Sequence, residues 1–149
     1  MIKQQIEEDI KAAMLAGDKT LVQTLRGLKS ALLYVEVAEG KREQGLTDEE
    51  AITVLSKEAK KRTESAEMYA QGGDEARQQA ELSEKQVIER YLPKQLSESE
   101  IASIVAEEQE KLGVSGPQAM GQLIGAVKAR TAGSADGATI ARLVKERLA

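Results

Sequence analysis

The chain of 149 residues contains no cysteine and no histidine, and Phe and Trp are missing as well. Without cysteine there are no disulfides, thiolate nucleophiles, iron–sulfur clusters or thiolate zinc sites. Without histidine, the commonest general base and the commonest transition-metal ligand are gone. Three tyrosines are the whole aromatic complement, 2% of the chain. An all-β sandwich draws on aromatic and β-branched residues, so this composition argues against one. Long apolar runs are missing too. The longest are five residues, as in Ala31-Leu32-Leu33-Tyr34-Val35, and no membrane span is expected. The Met1 to Leu15 stretch carries Glu7, Glu8 and Asp9 and no apolar core, so it does not read as a signal peptide. A cytoplasmic protein away from the membrane is the expectation. Basic excess is also lacking: 21 Lys and Arg face 25 Asp and Glu, a formal net charge of −4. Nucleic-acid binders usually show the opposite balance, so any such activity must come from a local patch.

What is present is helical spacing almost throughout. Ile2, Ile6 and Ile10 fall at steps of four, and Gly17-Asp18 ends that helix. Leu21, Leu25, Leu28, Leu32 and Val35 form one stripe of a second helix, stopping near Gly40 to Gly45. Thr47-Asp48-Glu49-Glu50 is a capping box that opens a third, with Ile52, Leu55, Ala59, Ala66 and Tyr69 inward. Gly72-Gly73 breaks it, and a fourth helix follows with Ala76, Ala80, Val87 and Tyr91 expected on one face. Pro93 ends that helix by pushing Leu92 out of the α region. A second capping box at Ser97-Glu98-Ser99-Glu100 opens a helix with Ile101, Ile104, Val105 and Leu112, closed by Gly113. Pro117 starts the next, with Met120, Leu123, Ile124 and Val127 inward. After the Gly133-Ser134-Ala135-Asp136-Gly137 loop, a last helix carries Ile140, Leu143, Val144 and Leu148. The fold class is all-α: a four-helix N-terminal domain, residues 1–93, and a small three-helix tail domain, residues 94–149.

Three stretches carry a family likeness. They are Lys60-Lys61-Arg62-Thr63-Glu64-Ser65-Ala66-Glu67-Met68-Tyr69 before Gly72-Gly73, then Tyr91-Leu92-Pro93-Lys94-Gln95-Leu96-Ser97, then Met120-Gly121 with the Gly133 to Gly137 loop. Over its full length the chain resembles the YqeY-like family of small bacterial proteins. That family is similar to the C-terminal tail of the GatB subunit of the tRNA-dependent amidotransferase, where the tail helps hold the tRNA. The resemblance implies two helical domains and contact with tRNA through the second. Ser134 stands where the family often has Arg or Lys, which removes one basic contact from that carry-over.

Charge in the tail is segregated. Ser97 to Gly116 has net charge −4, and Pro117 onward has net charge +3. Lys128, Arg130, Arg142, Lys145 and Arg147 are the candidate RNA-binding residues, a basic face that phosphates would attract. The same residues lie near helix ends, where the helix dipole favours cations in any protein. Gly121, Gly125 and Ala129 make a small-residue seam that suits either close approach of an RNA backbone or close helix packing. Arg62 lies on the apolar stripe of the third helix, so it is expected to point inward and pair with Glu81 or Glu84. The remaining cations there, Lys57, Lys60 and Lys61, read as a solvated face laced with Glu58, Glu64 and Glu67. Glu64-x-x-Glu67 and Glu81-x-x-Glu84 lack the histidines that bundle di-iron sites use. No catalytic residue, metal or cofactor is assigned.

Three functions follow. The first is a non-catalytic tRNA-binding or translation-associated accessory protein. The second, drawn only from the GatB likeness, is a carbon–nitrogen ligase with glutamine as amide donor. The chain has neither the nucleotide site nor the amidase chemistry of that enzyme. The third is a protein–protein adaptor, for instance on a translation-related partner.

Overall fold

The computed structural model describes residues 1–149 and is all-helical, with no strand. The helices are α1 (Ile2–Ala16), α2 (Lys19–Ala38), α3 (Asp48–Gln71), α4 (Glu75–Glu89), α5 (Glu98–Leu112), α6 (Met120–Thr131) and α7 (Gly137–Leu148). A short 3-10 turn, Pro117–Ala119, leads into α6. The chain divides into two compact units, Met1–Leu92 and Pro93–Ala149.

Local chemistry explains most helix ends. Thr47 and Ser97 form full capping boxes with Glu50 and Glu100, each Glu reaching back to the cap's own N–H at 2.8 Å. Asp18, Asp74 and Asp136 cap α2, α4 and α7 by accepting from the N–H three residues on. Gly17 and Gly113 end α1 and α5 in the left-handed region, at φ 73° and 64°. At the end of α6 an alanine does this work: Ala132 has φ 44°.

The first unit packs around Ile6, Leu25, Leu28, Leu32, Leu55 and Ile88. The second has its own core of Ile101, Val105, Leu123, Val127, Ile140 and Val144. The inward face of α4 differs from the expected one. Ala76 and Ala80 are exposed, Val87 and Tyr91 are half-buried, and Ile88 is the one fully buried residue of the helix. The half-buried face holds Glu81, Leu82, Glu84 and Lys85. Alanine buries too little apolar area to orient a helix, so α4 is oriented by Ile88 with Val87 and Tyr91 packed on the same core, and its first half adds ion pairs to α3.

Candidate functional site

The tail's candidate cations come from α6 and α7, and most of its acids from α5. The arrangement brings them together. Arg130 reaches Glu107 at 2.5 Å and Glu108 at 3.3 Å, and these carboxylates hold its guanidinium pKa above the ordinary value. Arg142 is bound to Glu98 on α5 and to Glu146, the latter at 3.2 Å. Arg147 Nε donates to the Gln109 side chain at 2.7 Å. Lys128 and Lys145 are exposed and have no carboxylate partner. The five candidates thus fall into two free amines, one arginine on a neutral amide and two arginines on internal ion pairs.

An acidic helix followed by two basic ones suggests internal pairing as directly as it suggests a basic face.

Gly121, Gly125 and Ala129 lie on the outside of α6. A Cβ built at Gly121 or Gly125 meets nothing within 4 Å. Within this unit the seam is therefore not a helix-packing surface. It runs toward Lys128, whose side chain crosses to α7: a Cβ at Gly137 would lie 3.7 Å from Lys128 Nζ. The ammonium sits beside the first residue of α7, where the helix dipole favours anions. Asp136 occupies the cap position and accepts from Thr139 N at 3.2 Å. Ser134 turns inward, donating from Oγ to the Thr131 carbonyl at 2.5 Å, and its own carbonyl accepts from Leu96 N at 2.8 Å.

In the first unit, Arg62 Nε donates to Glu84 at 2.7 Å, lies 3.9 Å from Glu81, and the guanidinium also meets Glu58 at 3.3 Å. Its side chain remains 23% exposed, so the cluster sits at the rim of the α3–α4 contact rather than in the core.

Sequence reasoning missed two polar contacts. Glu36 on α2 is 1% exposed and binds Lys3 Nζ through both carboxylate oxygens, at 3.1 and 2.9 Å. Its signal was the step of four from Leu32, which puts it on the buried stripe. The other is Tyr91, which donates to Asp9 on α1. Burial, and then the Asp9 carboxylate, push the Tyr91 phenol well above its ordinary pKa.

The Tyr91-to-Leu96 motif is thus divided between the units. Tyr91 fastens the end of α4 to α1, while Gln95 and Leu96 fasten the start of the tail to Gly133 and Ser134.

The Tyr91 geometry sets a pH dependence. A phenol with a raised folded-state pKa adds stability that is complete below its unfolded pKa and is lost as pH rises through the folded one. The first unit should therefore lose stability above about pH 10, the unfolded tyrosine value. Tyr91→Phe should cost about 1 kcal/mol near neutrality and remove part of that alkaline loss. Urea melts of both proteins at pH 7 and 11 measure it, and an unchanged alkaline slope in the variant would contradict the assignment.

No group of three Asp or Glu side chains is placed to hold a metal ion, and no helix is long and apolar enough to cross a membrane. A family model described as Yqey-like protein matches residues 3–148. No curated protein matches the chain.

Proposed function

Because this chain belongs to the YqeY-like family, we propose that it is a non-catalytic, translation-associated accessory protein that contacts tRNA through its tail. The observation that carries this reading is the outer surface of α6. An open seam of Gly121, Gly125 and Ala129 leads to Lys128, an unpaired ammonium beside the start of α7. A phosphate backbone could lie along that seam without steric hindrance and meet a cation at its end. Lys145 and Arg147 on α7 add further positive charge, and Arg130 and Arg142 join if phosphates displace their carboxylates. The likeness of the family to the GatB tail supplies the RNA class. A cytoplasmic location fits the same reading.

A nuclease-controlled pull-down from cells, with the bound RNA sequenced, tests it. Enrichment of tRNA, lost on nuclease treatment, is the expected result. A protein partner retained through nuclease treatment, with no RNA enriched, would favour an adaptor. Ammonia transfer from glutamine by the purified chain would establish the ligase alternative instead.

We also propose that residues 1–93 and 94–149 are separate folding domains, four-helix and three-helix. The two separate apolar cores support this, as does the exposed Lys94 between the Tyr91 and Gln95 anchors. Limited trypsin digestion should cut first after Lys94 and leave two resistant fragments. First cuts inside α6 or α7 would contradict the boundary.

A further inference from the structure

All three arginines among the tail's candidate cations are held by α5, and neither lysine is. Arg142 is bound to Glu98, in the first turn of α5. Arg130 is held near the other end of that helix by Glu107 and Glu108, at 2.5 and 3.3 Å. Arg147 Nε donates to the neighbouring Gln109 amide at 2.7 Å. Glu98 and Glu107 stand nine positions apart, about 14 Å along the axis, so one helix spans both ion-paired arginines. Of the five glutamates on α5, Glu100 is occupied by the Ser97 cap. Glu110 is exposed and forms no ion pair. The other three are all on arginine, through carboxylates of the same chemistry that a phosphate backbone would offer.

We propose that α5 is an autoinhibitory element: its glutamates stand in for phosphates and mask Arg130 and Arg142 from any polyanion that approaches α6 and α7. This rests on the tail as an RNA contact and sets the strength of that contact. With α5 in place, affinity comes from Lys128, Lys145 and Arg147, and the two masked arginines are a reserve. The mask is suited to exchange. Arg130 and Arg142 are 37% and 47% exposed, so their pairs are weak enough for a ligand to replace. The competing carboxylates belong to the same unit, so they are present at a constant and high effective concentration. A strong or multivalent polyanion displaces them, and a weak one does not. Glu146, on the same helix as Arg142 and 3.2 Å from it, also shares that guanidinium, so releasing Glu98 frees Arg142 only in part.

Two measurements on the full chain test this: affinity for unfractionated tRNA against salt, and the salt that elutes the protein from immobilised heparin. Glu98→Gln should raise tRNA affinity about threefold at low salt and steepen the salt slope by up to about one unit. Glu107→Gln combined with Glu108→Gln should do the same through Arg130. Both changes should move heparin elution to higher salt. The gains should require the arginines. In an Arg142→Gln background Glu98→Gln should gain nothing, and in an Arg130→Gln background neither should the Glu107 and Glu108 substitutions. Glu110→Gln removes the same charge from the same helix without freeing an arginine, and should leave the slope unchanged. Gains that persist without the arginines, or a Glu110→Gln variant that matches Glu98→Gln, would show a general effect of net charge and overturn the proposal. Unchanged tRNA affinity and unchanged heparin elution in every variant would overturn it as well. If no protein binds tRNA while heparin elution shifts as expected, the masking stands and the RNA assignment falls.

Discussion

Lys3→Met should destabilise the first unit by about 3 kcal/mol, because it leaves the Glu36 carboxylate buried without a counter-charge. Glu36 is 1% exposed and lies near the Gly40 to Gly45 loop, with Oε1 3.8 Å from where a Cβ at Gly45 would be. Lys3 is 36% exposed, so its own removal costs little; the loss falls on the acid left behind. For a unit of this size the change corresponds to a fall in Tm of roughly 12–20 °C. Adding Glu36→Leu to Lys3→Met should recover most of the loss, since an apolar residue replaces a charge that was expensive to bury. Calorimetry of the two variants beside wild type decides the point. A double variant as unstable as the single one would show that Glu36 is held by something other than its charge pair.

The second large effect concerns the tail. Neutralising Lys128, Arg130, Arg142, Lys145 and Arg147 together should lower tRNA affinity by about 100-fold at low salt. The single substitutions should not contribute equally. Lys128 and Lys145 are free to meet phosphates, while Arg130 and Arg142 must first leave Glu107, Glu108, Glu98 and Glu146. Lys128→Ala should therefore weaken binding more than Arg142→Ala. Electrophoretic mobility shifts with unfractionated tRNA rank the five variants. Equal losses at all five positions would mean that the α5 ion pairs do not persist in the complex.

Where local chemistry decides the structure, the sequence was readable. Thr47-x-x-Glu50 and Ser97-x-x-Glu100 mark two helix starts within a residue, because each box satisfies orphan N–H groups by itself. Gly17 and Gly113 mark two ends for the same reason. The leucine stripe of α2 locates its buried face, since Leu25, Leu28 and Leu32 are all at most 1% exposed. The face of α4 was readable only in its second half, where Val87 and Tyr91 pack on the core; in its first half the alanines carry little burial energy and the partner of Glu84 is a cation 22 positions away on another helix. Glu36 was missed because a charged residue on an apolar stripe signals burial only when its partner is known, and Lys3 lies 33 positions away. In the tail, the candidate cations were readable as residues but not as free charges. Which of them α5 neutralises depends on tertiary contacts across 22 and 44 positions.

The central claim, that the tail contacts tRNA, is tested most directly by the salt dependence of tRNA affinity for the full chain. Log affinity against log salt should fall with a slope of about −3 for wild type, from Lys128, Lys145 and Arg147, and should flatten toward zero in the five-fold neutralised variant. Equal affinities for the two proteins, or no salt dependence in wild type, would contradict the account.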